Sequence, residues 1–220
     1  SMPDADDHPR RLQFAALAAV VWDFPLVGRT RMLAEAWTRA AQPAAFVEIP
    51  SLRSALQRLT LRAPRAPLPV LRAWPTYPCR YWRRLSENRL RRSIRRRARG
   101  LRRQLDRVLD WDRAVATVVS PVWTPWLEEL PFKHVVYDCI DDLAVQTPRP
   151  ELADLYRRWE DELLDRAAGV AVSAEVLGAD VRKRRPNLPV RLIRNGVDVE
   201  RFHRQAAAAP RPADLPNGAR

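Results

Sequence analysis

The sequence predicts a doubly wound α/β domain: an open, mainly parallel sheet with helices on both faces. Three observations point there. Short runs that are apolar throughout, such as Phe14 to Trp22 (FAALAAVVW), Ala114 to Val119 (AVATVV) and Gly169 to Val172 (GVAV), read as strands buried on both faces. Stretches with apolar residues at helical spacing separate them. The alternation continues along the chain without an internal repeat, the pattern of parallel strands joined by crossover helices. Ligands on such sheets bind beyond the carboxyl ends of the strands, where the strand order switches.

The first strand covers Phe14 to Trp22, and the turn DFPLVGR leads into a helix over Thr30 to Ala41, with Met32, Leu33, Ala36 and Trp37 at helical spacing. Ala45 to Ile49 makes the second strand, and Ser51 caps a short helix through Leu59. Leu68 to Leu71 is the third strand; Pro69 lacks an N–H for the ladder and confines it to an edge or an end. Trp74 to Trp82 (WPTYPCRYW) reads as an irregular loop. The longest helix runs from Arg83 to Leu109, with an apolar stripe through Leu85, Leu90, Ile94, Leu101, Leu105 and Val108, and Gly100 is expected to bend or shorten it. Ala114 to Val119 and His134 to Ile140 are strands on either side of a short helix or turn at Trp123 to Leu130. A helix follows over Pro150 to Ala168, with Pro150 at its first position and Tyr156, Trp159 and Leu163 on its apolar face. Gly169 to Val172, a helix capped by Ser173 and stopped by Pro186, and the strand Val190 to Ile193 complete the series. The domain is expected over residues 12–203, between a flexible N-terminus (1–11) and an interdomain linker (204–220).

The 220 residues carry a formal charge of +13, unevenly placed. Residues 1–110 hold 23 Arg and no Lys against 9 acids; residues 111–220 hold 16 basic and 17 acidic residues. A basic first half suits phosphates, on nucleic acid or on an anionic membrane surface, and a merely solvated face reads the same way. Eleven Arg lie between Arg83 and Arg103 against one acid, Glu87. Arg91, Arg92, Arg95, Arg96, Arg99 and Arg103 are the candidate membrane-surface residues. Nucleic acid is disfavoured, because no helix-turn-helix, zinc or RNP pattern accompanies the charge. No apolar run is long enough to span a bilayer, so any membrane contact is expected to be peripheral, on the inner face of the cytoplasmic membrane. Cys79 and Cys139 make no disulfide framework and fit a reducing, cytoplasmic setting; Cys139 is expected as a buried thiol.

Two further stretches can carry chemistry. Gly28, Arg29 and Arg31 open a helix, where backbone N–H groups and guanidinium groups suit an anion; a plain turn has equal weight. In YDCIDDLAVQ, Asp138 lies inside a strand and Asp141 and Asp142 at its exit. Such carboxylates act as general bases, bind sugar hydroxyls or hold a metal; equally, Asp142 caps a helix and Asp141 is solvated. Asp138, in an otherwise apolar strand, needs a partner or a purpose. His8, His134 and His203 lie too far apart for ligand spacing, so no metal is expected.

The succession W-x-x-P-x-x-x-R-x-R from Trp22, the strand VVYDCIDD, a helix ending E-x-x-L-x-x-R-A-A, then GVAVS and IRNGVDVERF resembles the N-terminal half of retaining glycosyltransferases of the large family-four group. Those enzymes join two Rossmann-like domains in the GT-B arrangement, with the active site in the cleft between them. The resemblance spans nearly the whole chain and is strongest over residues 134–202. It implies the acceptor-binding domain of an enzyme that transfers a sugar, with retention, from a nucleotide-sugar donor to a glycan or lipid-linked acceptor in cell-surface polysaccharide synthesis. It places Gly28 on the loop that nears donor phosphates and acceptor. Asp138 falls where many relatives carry a His, and Asp141 and Asp142 match a D-D pattern of one subgroup. Catalytic roles then fall to Asp138 and Asp141, and cleft roles to Gly28, Arg29, Arg31 and Asp142. Asn195 and Gly196 make the hinge, and Phe202 pins the exit. Asp138→Ala is expected to cost activity more than folding. The resemblance implies no tightly bound cofactor; the nucleotide-sugar is a co-substrate held by a second domain. The family's two donor-site glutamates, eight positions apart, have no counterpart in this sequence, so the chain alone is expected to be inactive. The alternative reading is a non-catalytic basic module docking on membrane or nucleic acid, and a third is an epimerase of the same two-domain build.

Overall fold

The computed structural model describes residues 11–24, 28–49, 66–73, 82, 84–197 and 199–208. Seven strands form one parallel sheet: β1 (Gln13–Leu17), β2 (Ala44–Glu48), β3 (Val70–Arg72), β4 (Ala114–Val118), β5 (His134–Cys139), β6 (Gly169–Val172) and β7 (Val190–Leu192). The order is β3-β2-β1-β4-β5-β6-β7. The chain builds outward from β1 in one direction, then returns to β4 and builds outward in the other. The switch lies between β1 and β4, where Phe14 pairs with Ala44 on one side and Val115 on the other. The helices are α1 (Arg29–Arg39), α2 (Glu87–Leu105), α3 (Thr124–Leu127), α4 (Leu143–Gln146), α5 (Ala153–Arg166), α6 (Glu175–Arg184) and α7 (Val199–Ala208), with single 3-10 turns at Pro121–Trp123 and Pro150–Leu152.

Pleating sends alternate strand residues to opposite faces. On one face Leu17, Ala116, Val118, Val135, Tyr137 and Val172 join a core with Leu90, Ile94 and Leu101 of α2, Trp126 of α3 and Trp159 of α5. Four tryptophans, Trp22, Trp123, Trp126 and Trp159, are fully buried, and burying such rings contributes several kcal/mol each by area, about 25 cal/mol per Å². On the other face Ala16, Ala18 and Phe46 pack with Trp22 and with Ala34 of α1, and Phe14 stacks on Trp37 at 4.6 Å between ring centroids. α1 covers β1 and β2 there. The same face is less covered farther along the sheet, where Val136 and Ala171 are half-buried and Ile193, just past β7, is exposed.

Several boundaries differ from the sequence reading, each for a physical reason. β1 stops at Leu17 rather than at Trp22. Val21 and Trp22 are buried outside the ladder; Trp22 turns into the second core, edge-on to Phe46 at 5.1 Å. β3 does sit at the sheet edge, and Pro69 precedes it, giving its carbonyl to the Phe46 N–H at 2.9 Å. α2 passes through Gly100 and ends at Leu105. Ser173 does not cap α6: Ala174 holds that position, and the Ser173 hydroxyl donates to the Ile140 carbonyl at 2.8 Å. α7 extends helical backbone to Ala208, into the stretch of linker composition. Phe202 is 60% exposed and pins nothing among the described residues. The helix over 51–59, most of the 74–82 loop, Cys79, His8 and residues 209–220 lie outside the described residues.

Candidate functional site

The site is built at the carboxyl ends of the strands, around Arg29. Gly28 precedes α1 with φ −80° and ψ 162°, an extended conformation open to any residue, and offers no side-chain cap. A Cβ at Gly28 would meet nothing within 4 Å. Neither backbone conformation nor packing within the described residues therefore requires glycine. Arg29 then reaches across the sheet. Its Nε donates to both oxygens of Asp138, at 3.1 and 2.9 Å, and its Nη2 lies 2.9 Å from Oδ1. Its Nη1 donates to the carbonyls of Ile193 at 2.5 Å and Arg194 at 3.2 Å. One guanidinium thus joins the start of α1, the last turn of β5 and the chain leaving β7.

This contact supplies the partner that the buried carboxylate of Asp138 needs. The side chains of Asp138 and Arg29 are only 2% and 11% exposed. Burial pushes the Asp138 carboxyl above its ordinary value, and the charge and hydrogen bonds of Arg29 restrain that rise. Asp138 and Gly28 lie at the same end of the sheet, but Asp138 is engaged by Arg29 and does not line the adjoining groove.

That groove, of about 550 Å³, runs between α1 and the chain beyond β5 and β7. Its floor is apolar, from Met32, Leu33, Ile140 and Ile193; Arg29, Arg39, Asp141, Arg194, Asn195 and Gly196 supply the polar rim. Asp141 is exposed and accepts from Gln146 Nε2 at 3.0 Å. Asp142 is committed to structure. It caps α4 by accepting from the Val145 N–H at 3.1 Å, and it pairs with Arg157 at 2.9 Å. Burial would raise its pKa, but the Arg157 bond and the cap hold it below the ordinary value. Arg31 is likewise occupied by Glu35 and the Trp22 carbonyl, and it lies over the Trp22 ring at 4.5 Å. Arg39, Arg194 and the apolar floor escaped the sequence reading. The helical spacing of Met32, Leu33 and Ala36 marks an apolar face but does not distinguish a groove wall from core.

Two solved structures share this architecture. A sucrose-phosphate synthase from Thermosynechococcus elongatus aligns with a TM-score of 0.50 and 14% identity, covering 89% of this chain and 96% of its own. The N-terminal domain of a Candida albicans trehalose-6-phosphate phosphatase aligns with a TM-score of 0.52 and 7% identity; the alignment covers 88% of this chain and half of the other. The fold is Rossmann-like. No family model and no curated protein matches the sequence.

Beyond the groove, the Rossmann-like domain pairs several α2 arginines with acids; Arg91 is largely covered, while Arg95 and Arg99 stay exposed beside their partners. Arg91 pairs with Glu128, with Glu87 at 2.9 Å and with Glu162 at 2.6 Å. Arg95 pairs with Glu128 at 2.6 Å and Arg99 with Glu129 at 3.3 Å. Those three candidates for a membrane surface are thus engaged by acids of α2, α5 and the turn after α3. Arg92, Arg96 and Arg103 remain exposed. No helix among the described residues is long and apolar enough to cross a membrane, and no cluster of three metal-ligating side chains occurs among them.

Proposed function

We propose that this Rossmann-like domain is the acceptor-binding half of a retaining GT-B glycosyltransferase, acting on a glycan or lipid-linked acceptor in cell-surface polysaccharide synthesis. The observation that carries the reading is the Arg29 clasp. It fixes the open backbone at Gly28, the exit of β5 and the Ile193-Arg194 segment leading into Asn195-Gly196 into one rim at the carboxyl ends of the strands, the side on which open α/β sheets bind ligands. In this reading Asp141 and Arg194 meet acceptor hydroxyls, and Gly28 leaves room for close approach. Asp138 is a positioning residue that acts through Arg29. Catalysis rests on orientation and charge stabilisation, with the nucleotide-sugar held by a second half and no turnover by this chain alone.

The apolar floor favours a second reading of part of the groove. Met32, Leu33 and Ile193 suit a packed helix better than a sugar, so the groove body receives a segment of the second half while its polar rim meets acceptor.

NMR titration of the labelled chain with oligosaccharide acceptors tests the proposal. Shifts are expected at Gly28, Arg29, Asp141 and Arg194 to Gly196, with little response to nucleotide-sugars. Shifts confined to another face, or tight nucleotide-sugar binding by the chain alone, would overturn it.

A further inference from the structure

We propose that α2 is a docking ridge for an anionic membrane surface, through Arg89, Arg92, Arg96, Arg103 and Arg107. The inference is independent of the glycosyltransferase reading. At 100° per residue these five positions fall within an arc of about 60°, opposite the side that buries Leu90, Ile94, Ala98, Leu101 and Leu105. All five are exposed, and Arg107 stands just past the helix end. At 1.5 Å per residue the ridge is about 27 Å long.

The ridge differs from the helix's shoulder. Arg91, Arg95 and Arg99 are neutralised by Glu87, Glu128, Glu129 and Glu162. None of the five ridge arginines makes an ion pair among the described residues; Arg92 donates only to the Asn88 carbonyl, at 3.3 Å. Like charges three and four residues apart repel, so the row is unfavourable until an external anion meets it.

The shape selects the partner. A straight, convex row presents all five charges at once to a plane of phosphate head groups. Base stacking would need aromatic side chains among the arginines, and the ridge has none. α2 buries its leucines and isoleucine, so the contact is electrostatic and lies at head-group level without insertion.

The test is sedimentation of the chain with vesicles of phosphatidylcholine alone or with a quarter phosphatidylserine. Binding is expected only to the anionic vesicles and is expected to fall steeply with added salt. Each ridge arginine is worth about fivefold in partition, so Arg92→Gln with Arg96→Gln is expected to lose about 25-fold. Arg103→Gln with Arg107→Gln should lose as much. Lys183→Gln with Arg191→Gln, exposed positions on α6 and β7 with the same change in net charge, should lose less than threefold. Equal losses in all three pairs would reduce the effect to net charge and overturn the ridge. So would indifference to anionic lipid, or single-stranded RNA that displaces the chain from vesicles and binds through the same arginines.

Discussion

Removing the Asp138 carboxylate tests the centre of the site. Asp138→Ala leaves the Arg29 guanidinium with two backbone carbonyls and no counter-charge, in a place where its side chain is only 11% exposed. Breaking a buried pair by deleting one partner costs about 3–5 kcal/mol, against a total stability of about 5–15 kcal/mol for a domain. The substitution should therefore lower the urea midpoint markedly, which reverses the expectation from sequence that activity would suffer more than folding. A double-mutant cycle isolates the pair. Arg29→Met with Asp138→Leu should cost clearly less than the sum of the single changes, because neither charge is then stranded. Arg29→Met alone adds a pH signature. Its stranded Asp138 carboxyl has a folded pKa raised by burial, so the folded state binds the extra proton. Stability is then greatest below the ordinary carboxylate pKa and is lost as pH rises through the raised value. A cost below about 1 kcal/mol for Asp138→Ala, or additivity within the cycle, would refute the clasp as a structural element.

The remaining predictions concern the frame around the site. Glu160, 5% exposed, accepts from Tyr137 at 2.9 Å, Arg157 at 3.1 Å and Arg184 at 2.7 Å; Glu160→Ala should cost about 3 kcal/mol or more in a urea titration, and Glu160→Gln less. Ala41 ends the α1 turn with φ 55°, a conformation that costs a side chain about 1–2 kcal/mol. Ala41→Gly should therefore raise stability by roughly 0.5–1 kcal/mol after the added freedom of the unfolded chain, seen as a higher melting temperature. Burial pushes the Cys139 thiol up to about 12, so at pH 8 alkylation of the Cys139 peptide, followed by mass spectrometry, should track unfolding and speed up with urea.

The strands were legible in the sequence because parallel strands covered on both faces are apolar at nearly every position. β4 (AVATV) and β6 (GVAV) need no other signal. The same rule overran at Trp22, since burial in a loop and burial in a ladder look alike in one dimension. Ser173 misled because a hydroxyl before a helix can also bond across to a neighbouring strand end, here at Ile140. Asp138 was flagged by its apolar setting, but its partner lies 109 residues away, and Ile193, the carbonyl on the far side of the same guanidinium, lies 164 away from Arg29. No local pattern reports such pairing. Only the parallel sheet, which sets the carboxyl ends of β1, β5 and β7 along one side, makes it inferable.

The charge asymmetry obeys the same logic. Read along the chain, a strongly basic first half precedes a near-neutral second half. In space the two interleave. Glu128, Glu129 and Glu162 of the second half engage Arg91, Arg95 and Arg99 of the first, while Glu87 of α2 is held below its ordinary pKa. Burial opposes that shift, and Trp159, Arg91 and Arg158 outweigh it. The arginine count of the first half therefore overstates what an external anion meets. Part of the charge that folding leaves uncompensated among the described residues forms a row on the outer side of α2, and position rather than total decides what an external anion meets there.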